Sequence, residues 1–291
     1  MSDSVVKIIE CPRDAWQALP EQIPARTKAD YLRMLIAAGF THVDAVSFVS
    51  PSAIPQMADS EKVVEFLQPD PALELIGIVV NRKGAERAIA TGAVQTLGFP
   101  FSISPQFLRR NQNQTPEESL AVLGEIVALA AQARLGVVAY LSMAFGNPYG
   151  EAWNLELVAD ACRRLIESGV RQISLADTVG LGSNSRIAES VAMALGLKTD
   201  IEIGVHLHAR PDQSAEKVRV AYEAGCRRFD SAIGGMGGCP FAQDALVGNL
   251  PTEIVVDELR YLGATLPQLQ PLAGLVEAAA EIERRFGMAV L

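Results

Sequence analysis

The stretch Leu75-Ile76-Gly77-Ile78-Val79-Val80 contains no polar side chain. A strand with one face in water alternates apolar and polar residues, whereas a run that is apolar throughout is typical of a parallel sheet covered on both faces. Eight strand-like runs occur along the chain, and they begin near Val5, His42, Leu73, Ala93, Val137, Gln172, Glu202 and Arg228. The sequence therefore predicts a sheet with helices on its outer face.

Helix-length amphipathic segments alternate with these runs. The clearest are Thr27–Ala38, Ser60–Leu67, Lys83–Ala90, Pro116–Ala133, Leu155–Glu167, Ser185–Leu195 and Ser214–Glu223. Eight regular strand–helix units without a linker predict an α/β fold, a TIM (β/α)8 barrel in one domain over residues 1–291. A doubly wound sheet is the alternative, but closing eight regular units into a barrel is more economical. The tail predicts one extra C-terminal helix, Leu272–Phe286.

Composition excludes several classes of function. The 291 residues carry a net charge of −9, without a basic patch for nucleic acid or a Lys/Arg-rich amphipathic helix for a membrane surface. No apolar run approaches the roughly 18 residues of a membrane-spanning helix. No signal or transit segment is predicted before the first strand, and the four cysteines form no CxxC pair. We therefore expect a cytoplasmic protein that binds neither nucleic acid nor membrane.

Two histidines end the run Ile201-Glu202-Ile203-Gly204-Val205-His206-Leu207-His208. Residues i and i+2 of a strand point to the same face, so both imidazoles project together from the C-terminal end of strand seven. A lone His-x-His is more often a hydrogen-bonded pair at a barrel rim than a metal site. The alternative is a pair of metal ligands, and the neighbouring strand ends favour it.

The active site of a TIM barrel gathers at the C-terminal ends of its strands. The chemically capable residues of this chain follow those ends: Glu10, Cys11, Arg13 and Asp14 after strand one, Asp44 on strand two, Asp177 and Thr178 after strand six, and Asp230 and Ser231 after strand eight. This coincidence of position is stronger evidence than any single motif. It predicts that these side chains lie around His206 and His208.

Two imidazoles and a carboxylate such as Asp14 predict a divalent metal site with open positions. Structural zinc is disfavoured because there is no cysteine cluster. Mixed nitrogen and oxygen ligands favour Mg²⁺ or Mn²⁺, with Fe²⁺ as the alternative. Arg13 adjoins Asp14, and it either forms a rim salt bridge or stabilises a developing oxyanion or enolate.

Four glycines fall within Gly234–Gly238, followed by Cys239. Such a run is either a loose turn or a loop whose backbone approaches a ligand closely, and it lacks the Lys-Ser/Thr ending of a P-loop. Cys239 is either a reactive thiol or an inert small side chain. Cys162 and Cys226 lie in or beside predicted helices, where we expect them to pack. His42 precedes strand two, so we expect it at the opposite, structural end of the barrel.

With these residues laid out, the chain resembles the 3-hydroxy-3-methylglutaryl-CoA (HMG-CoA) lyase family of metal-dependent barrels, from about Val6 to Gly287. The matching segments are Pro12-Arg13-Asp14 with Gln17, Ser47–Pro51, Pro55-Gln56-Met57, Asn111-x-Asn113, Ser174-Leu175-x-Asp177-Thr178, Val205-His206-x-His208, Gly237–Gln243 and Gly248-Asn249-Leu250. The Gly-Gly-Cys-Pro-Phe-Ala-Gln string within Gly237–Gln243 is the one specific to the lyases.

The resemblance implies cleavage of HMG-CoA, or a close 3-hydroxyacyl-CoA analogue, to acetyl-CoA and acetoacetate, in leucine degradation and ketone body metabolism. It implies four metal ligands for Mg²⁺ or Mn²⁺: Asp14, His206, His208 and Asn249. It also implies four catalytic residues: Arg13 at the enolate, Cys239 as the acid/base of a mobile loop, Asp44 where the family usually has Glu, and Asp177 as a base-assisting carboxylate. We expect an acyl-CoA substrate and a homo-oligomer, a dimer or a tetramer.

The chain departs from the family pattern at Cys11, at Ala15-Trp16, at Ala209-Arg210 and at Ile254, and one extra residue separates Cys239 from Asn249. These changes concern the pocket wall, and Arg210 adds a cation that can pair with a substrate carboxylate. Two other functions stay open. One is a related aldolase or Claisen-condensing enzyme acting on another 3-hydroxy acid. The other is a non-catalytic barrel that binds CoA esters.

Overall fold

The computed structural model describes residues 5–68, 72–197, 200–237 and 247–287. Eight parallel strands form the central sheet. They are β1 (Lys7–Glu10), β2 (His42–Ser47), β3 (Glu74–Ile78), β4 (Thr96–Ser102), β5 (Gly136–Ser142), β6 (Gln172–Asp177), β7 (Glu202–Ala209) and β8 (Arg228–Ser231). Each strand pairs with its neighbours in sequence, and β8 pairs with β1, so the sheet closes on itself. The predicted TIM barrel is confirmed.

A ninth strand, β9 (Gly248–Asn249), was not predicted. It is two residues long and runs antiparallel to the end of β7, with Asn249 opposite His208. Two residues are too few to show a periodicity, so no sequence pattern could reveal this pairing. It brings Asn249 to the C-terminal rim of the barrel.

The helices surround the sheet. They are α1 (Pro12–Trp16), α2 (Ala25–Ala37), α3 (Ser60–Leu67), α4 (Arg82–Ala90), α5 (Pro105–Gln112), α6 (Pro116–Ala133), α7 (Leu155–Glu167), α8 (Asn184–Leu195), α9 (Pro211–Glu223), α10 (Thr252–Tyr261) and α11 (Ala273–Phe286). Seven of the predicted helices agree with α2, α3, α4, α6, α7, α8 and α9, and α11 is the predicted C-terminal helix. The short helices α1 and α5, and also α10, were missed. None of the helices in the described part of the chain has the length and hydropathy to cross a membrane.

Successive side chains of a strand point alternately outwards to the helices and inwards to the barrel interior, and both of these environments are apolar. In β3, Leu75 joins the outer core between sheet and helices, whereas Ile76 and Ile78 join a smaller cluster inside the barrel. Ile9, Cys11, Val138 and Tyr140 complete that inner cluster. The barrel interior is therefore packed with side chains, which directs ligands to the rim.

The N-terminal end of the barrel is held by charge. Lys7 Nζ lies 2.8 Å from Glu202 Oε2, and His42 Nε2 lies 3.4 Å from Glu74 Oε2. His42 therefore sits at the N-terminal end of the barrel, opposite the C-terminal rim, as predicted. The buried Arg228 donates from Nη1 to Glu202 Oε1 at 3.2 Å. The contacts of His42 and Arg228 join neighbouring strands, and the contact between Lys7 and Glu202 joins β1 to β7 across β8.

Gly204 makes room for the aliphatic part of Arg228. A Cβ at position 204 would lie 2.7 Å from both Cγ and Cδ of Arg228. We predict that Gly204→Ala lowers the free energy of unfolding by about 1–3 kcal/mol, because an extra methyl group overpacks the interior.

Gly124→Ala on the exposed side of α6 is the matched control, since nothing lies within 4 Å of a Cβ there. Helix propensity predicts a gain of up to about 1 kcal/mol. Urea unfolding of both variants checks the pair, and equal effects would contradict the packing argument.

Candidate active site

Helix α1 places two charged residues at the barrel rim. It begins just after β1, and its first residue is Pro12. Proline lacks a backbone N–H, but the N–H groups of the first turn have no acceptor within the helix, so none is lost. Arg13 Nε donates to Asp44 Oδ1 at 3.0 Å, and Nη2 donates to Asp44 Oδ2. Arg13 Nη1 also donates to Asp14 Oδ1 at 3.0 Å and to Gln17 Oε1 at 3.1 Å. The guanidinium of Arg13 is therefore held by a two-point contact with Asp44 and by a contact with the adjacent Asp14.

The two histidines of β7 point to one face, as predicted. His206 Nε2 lies 3.8 Å from Asp14 Oδ2, and His208 Nε2 lies 4.0 Å from the same oxygen. All three residues are buried, and their ligand atoms lie within 4.8 Å of one another. The sequence-predicted cluster is therefore brought together by the fold.

Each imidazole has a second contact behind it. His208 Nδ1 lies 3.1 Å from the carbonyl oxygen of Thr178, so Nδ1 carries the proton and the Nε2 lone pair faces Asp14. His206 Nδ1 lies 3.7 Å from Asp230 Oδ2, beyond hydrogen-bond distance, and has no hydrogen-bond partner among the described residues. A carbonyl in the position of Thr178 orients a histidine that ligates a metal.

The charge states of Asp14 and His208 suit ligation of a cation. Burial would raise the pKa of Asp14, but Arg13 and both histidines outweigh it and bring that pKa to about 2. Burial lowers the pKa of His208, and the nearby His206 lowers it further, so His208 is a neutral imidazole at pH 7. Burial opposes protonation of His206 as well, but the carboxylates of Asp230 and Asp14 outweigh it and raise the His206 pKa. His206 would therefore release a proton when it binds a cation.

Asn249 completes the rim through the glycine-rich segment. Its Nδ2 donates to Asp14 Oδ2 at 2.9 Å and to the carbonyl oxygen of Met236 at 2.8 Å. Gly237 has φ +84°, and a Cβ there would lie 2.7 Å from Ala15 Cα. Gly237 therefore lets the backbone pass close to the chain around Asp14, whereas the sequence analysis expected a close approach to a ligand.

The cluster fits a cation. His208 Nε2 and Asn249 Oδ1 are buried without a hydrogen-bond partner in the described part of the chain. Unpaired buried acceptors are costly, and a divalent ion between them and Asp14 would satisfy both. Among the described residues the donors are imidazole nitrogen, carboxylate oxygen and amide oxygen, without a thiolate. This set is typical of Mg²⁺, Mn²⁺ or Fe²⁺ rather than structural zinc.

The two other predicted carboxylates lie near the cluster but face different partners. Asp44 is fully buried and accepts two hydrogen bonds from Arg13. Burial raises the pKa of Asp44, although Arg13 opposes the shift. Asp177 accepts from the backbone N–H of Gly182 at 3.0 Å and from Lys217 Nζ at 2.9 Å. Asp177 therefore stands behind His208 rather than beside Asp14.

Cys239 lies outside the described residues. Burial raises the pKa of Cys162 and Cys226 to about 12, and that of Cys11 well above its usual value. All three are buried, as expected for Cys162 and Cys226 but not for Cys11. Cys11 lies at the end of β1, but its side chain points into the inner cluster, so its position there does not make it reactive.

Three other residues that the sequence analysis singled out stabilise loops and helix ends. Gln56 accepts from Ile23 N at 2.9 Å and donates to Glu21 O at 2.7 Å, which fixes the loop after α1. Asn113 caps α5 in the left-handed conformation, with φ 53°. Arg210 is the N-cap residue of α9, and its Nε lies 3.7 Å from Asp212 Oδ1.

Sequence reasoning missed two residues that support the cluster. Asp230 was noted at the end of strand eight but given no role. Lys217 was not noted at all, although it shares the buried face of α9 with Ser214, Val218 and Ala221. A lysine at the i+3 position of a buried face is the signal that could have found it.

Comparison with known proteins identifies the family. The model of a family described as HMGL-like matches residues 6–279. The chain belongs to the HMGL-like family.

Relatives in this family carry lyase names. The mitochondrial hydroxymethylglutaryl-CoA lyase of Mus musculus is 35% identical over 259 residues, 89% of this chain and 79% of that protein. The cytoplasmic 3-hydroxy-3-methylglutaryl-CoA lyase of Danio rerio is 34% identical, over 89% of this chain and 77% of that protein. The structure of an HMG-CoA lyase from Acinetobacter baumannii, in complex with coenzyme A and 3-methylmalate, superposes with a TM-score of 0.88 at 31% identity, over 98% of this chain and 92% of that chain.

This HMGL-like chain also buries a carboxyl group beside the site. Glu10 Oε1 accepts from the backbone N–H of Ile233 at 2.9 Å, and Oε2 accepts from the Thr252 hydroxyl. Ile233 and Thr252 stand at the two ends of the chain segment that contains the glycines and Asn249. Burial raises the pKa of Glu10 from 4.5 to about 8.

We predict that Glu10→Gln stabilises the protein increasingly between pH 5 and pH 8. In that window the folded state retains a proton that the unfolded state has lost, so wild-type stability falls as pH rises, by up to about 1.4 kcal/mol per pH unit. Glutamine keeps an acceptor for Ile233 N without the titration. Urea unfolding across pH measures the difference.

The control is Glu125→Gln on the exposed face of α6. It makes the same substitution at an exposed position and accounts for effects of the exchange that do not depend on burial. A stability difference for Glu10→Gln that does not change with pH would show that the Glu10 carboxyl titrates alike in both states.

Proposed function

We propose that this protein is a metal-dependent carbon–carbon lyase that cleaves HMG-CoA, or a close 3-hydroxyacyl-CoA analogue, to acetyl-CoA and acetoacetate. The observation that carries the proposal is the convergence of Asp14, His206 and His208 beside the immobilised guanidinium of Arg13, in a family whose relatives are named for this reaction. The A. baumannii lyase, which holds coenzyme A and 3-methylmalate, supports a CoA thioester and a hydroxy acid as ligands.

Four residues are proposed to hold Mg²⁺ or Mn²⁺: Asp14, His206, His208 and Asn249. When bound, such an ion supplies a Lewis acid that lowers the pKa of a substrate hydroxyl. His208 Nε2 and Asn249 Oδ1, both buried and unpaired among the described residues, support this assignment. Asn249 would turn its amide oxygen towards the ion while Nδ2 keeps a contact with the Met236 carbonyl.

Asp44 is our candidate for the base that removes the proton from the tertiary hydroxyl. Its raised pKa makes it a better proton acceptor than an ordinary aspartate. Both of its oxygens accept from Arg13, so one of these contacts would open for Asp44 to take the proton. As the proton leaves, the C3 oxygen becomes the ketone of acetoacetate. The C2–C3 bond breaks, and its electron pair passes to C2 as the enolate of acetyl-CoA.

Arg13 is proposed to stabilise that enolate, and Cys239 to protonate it at C2. Arg13 meets the requirement for such a role because its orientation is set before the reaction by Asp44 and Asp14. A thiol suits the proton donor because its ordinary pKa of about 8.5 lies close to neutrality. Asp177 assists through its contacts behind His208.

The substrate is a small molecule, and we place the protein in the cytoplasm, where its thiols stay reduced. The three described cysteines are free and buried, which supports a structure that does not depend on disulfides.

We predict that the purified protein cleaves HMG-CoA only with Mg²⁺ or Mn²⁺, and that Arg13→Lys lowers kcat by at least about 100-fold with little change in KM. Lysine keeps the charge but cannot reproduce the planar two-point contact with Asp44, and the enolate exists only during the reaction. A coupled acetoacetate assay, run across several 3-hydroxy-3-alkylglutaryl-CoA esters with and without metal, measures both effects.

The assay also separates the rival functions. Turnover of another 3-hydroxy acid but none of these esters would indicate a related aldolase or condensing enzyme. Binding of the esters without turnover would indicate a non-catalytic barrel. An Arg13→Lys variant impaired only in KM would move Arg13 to binding of the substrate carboxylate.

We predict that Cys239 is the most reactive of the four thiols and that Cys239→Ser binds substrate but turns over slowly, because a hydroxyl is a far weaker acid than a thiol. Alkylation followed by mass spectrometry, with and without a substrate analogue, measures reactivity and protection. Cys11→Ser is the control, and it should keep turnover because Cys11 is buried inside the barrel. Unchanged turnover in Cys239→Ser would transfer the acid role to another residue.

A further inference from the structure

Lys217 is a buried lysine behind the candidate metal cluster. It lies on α9, with 4% of its surface exposed. Its ammonium donates to Asp177 Oδ2 at 2.9 Å and to the carbonyl oxygen of His208 at 2.8 Å. Asp177 is 1% exposed, so both charges of this pair are inside the protein. A buried ion pair contributes little net stability, but removing one partner leaves an uncompensated buried charge.

The His208 carbonyl needs such a partner because of where the sheet ends. The pairing between β6 and β7 stops with Asp177 opposite Leu207, one residue before His208. The Leu207 carbonyl accepts from Leu250 N on the other side of the strand. Lys217 therefore supplies the donor that β6 no longer provides, and it ties the end of β7 back to the last residue of β6.

The ring of His208 is held from the same place. Its Nδ1 contacts the carbonyl oxygen of Thr178, the residue that follows Asp177. The backbone of His208 is therefore held through Lys217 and Asp177, and its ring is held directly by Thr178. Asn249 on β9 pairs with His208, so the position of Asn249 depends on the same end of β7.

We propose that Lys217 is a positioning residue, which sets the metal-binding geometry of His208 by clamping its carbonyl to Asp177. The inference rests on the metal site proposed above. It also gives Asp177 its role, as the anion that retains the ammonium inside the protein.

The direction of the change in metal affinity distinguishes a positioning role of Lys217 from a simple effect of its charge. Removing a cation near the cluster favours binding of another cation by Coulomb's law. Loss of positioning disfavours it, as for other residues that orient metal ligands, by roughly 10- to 100-fold in affinity. We therefore expect Lys217→Met to weaken Mn²⁺ binding despite its lower positive charge.

The experiment measures the Kd of Mn²⁺ by electron paramagnetic resonance and calorimetry, well below the Tm of each variant. Lys217→Met should raise Kd by roughly 10- to 100-fold. Lys217→Gln retains a donor for the His208 carbonyl, so its Kd should lie between that of Lys217→Met and that of the wild type. If the methionine variant does not fold, the glutamine variant tests the inference in its place. His208→Ala shows the effect of losing the ligand itself.

Lys28→Met is the matched control. Lys28 is 1% exposed, donates to a backbone carbonyl, that of Gln56, and pairs with Asp59 at 2.6 Å. Its loss should lower Tm comparably and leave Kd within about twofold, because it makes no contact with the cluster. Unchanged or tighter Mn²⁺ binding in both Lys217 variants would overturn the inference. Turnover is not the readout, so a protein that binds Mn²⁺ but does not cleave HMG-CoA refutes only the proposed function.

Discussion

The carboxylate of Asp14 is the group on which the rim of this barrel depends. It is a buried anion, and a buried anion requires compensating charges and hydrogen-bond donors on every side. Arg13, Gln17 and Asn249 donate to it, and the two histidines of β7 face it. Helix α1, strand β7 and strand β9 therefore meet at a single side chain. A site built in this way leaves lone pairs directed at one point, which is what a divalent cation requires.

The support for this cluster comes from further buried charges that pair with each other. Asp44 holds Arg13, and Lys217 with Asp177 holds the backbone of His208. Removing one member of such a pair leaves an unpaired buried charge, which is far more costly than the pair is stabilising. The pairs thus act as position markers. They confine the side chains of the cluster to one arrangement.

The predictable part of this structure is the part that repeats. Strands that are apolar on both faces, alternating with amphipathic helices, indicated the barrel, because a closed parallel sheet buries both faces of every strand. The His-x-His spacing predicted a shared face, since strand geometry has a period of two. Helix α1, with five residues, and strand β9, with two, are too short to show any period. Their positions follow from contacts with other elements.

The sequence by itself determined the fold class, the face shared by His206 and His208, and the gathering of polar residues at the strand ends. These features depend on local periodicity and on the rule that parallel strands end at one rim. Only the tertiary structure decided which charges meet. Arg13 and Asp44 are 31 residues apart, Asp177 and Lys217 are 40 apart, and Asp14 and Asn249 are 235 apart. Closure of the barrel brings these pairs together, and the cost of burying a charge alone then selects the partner.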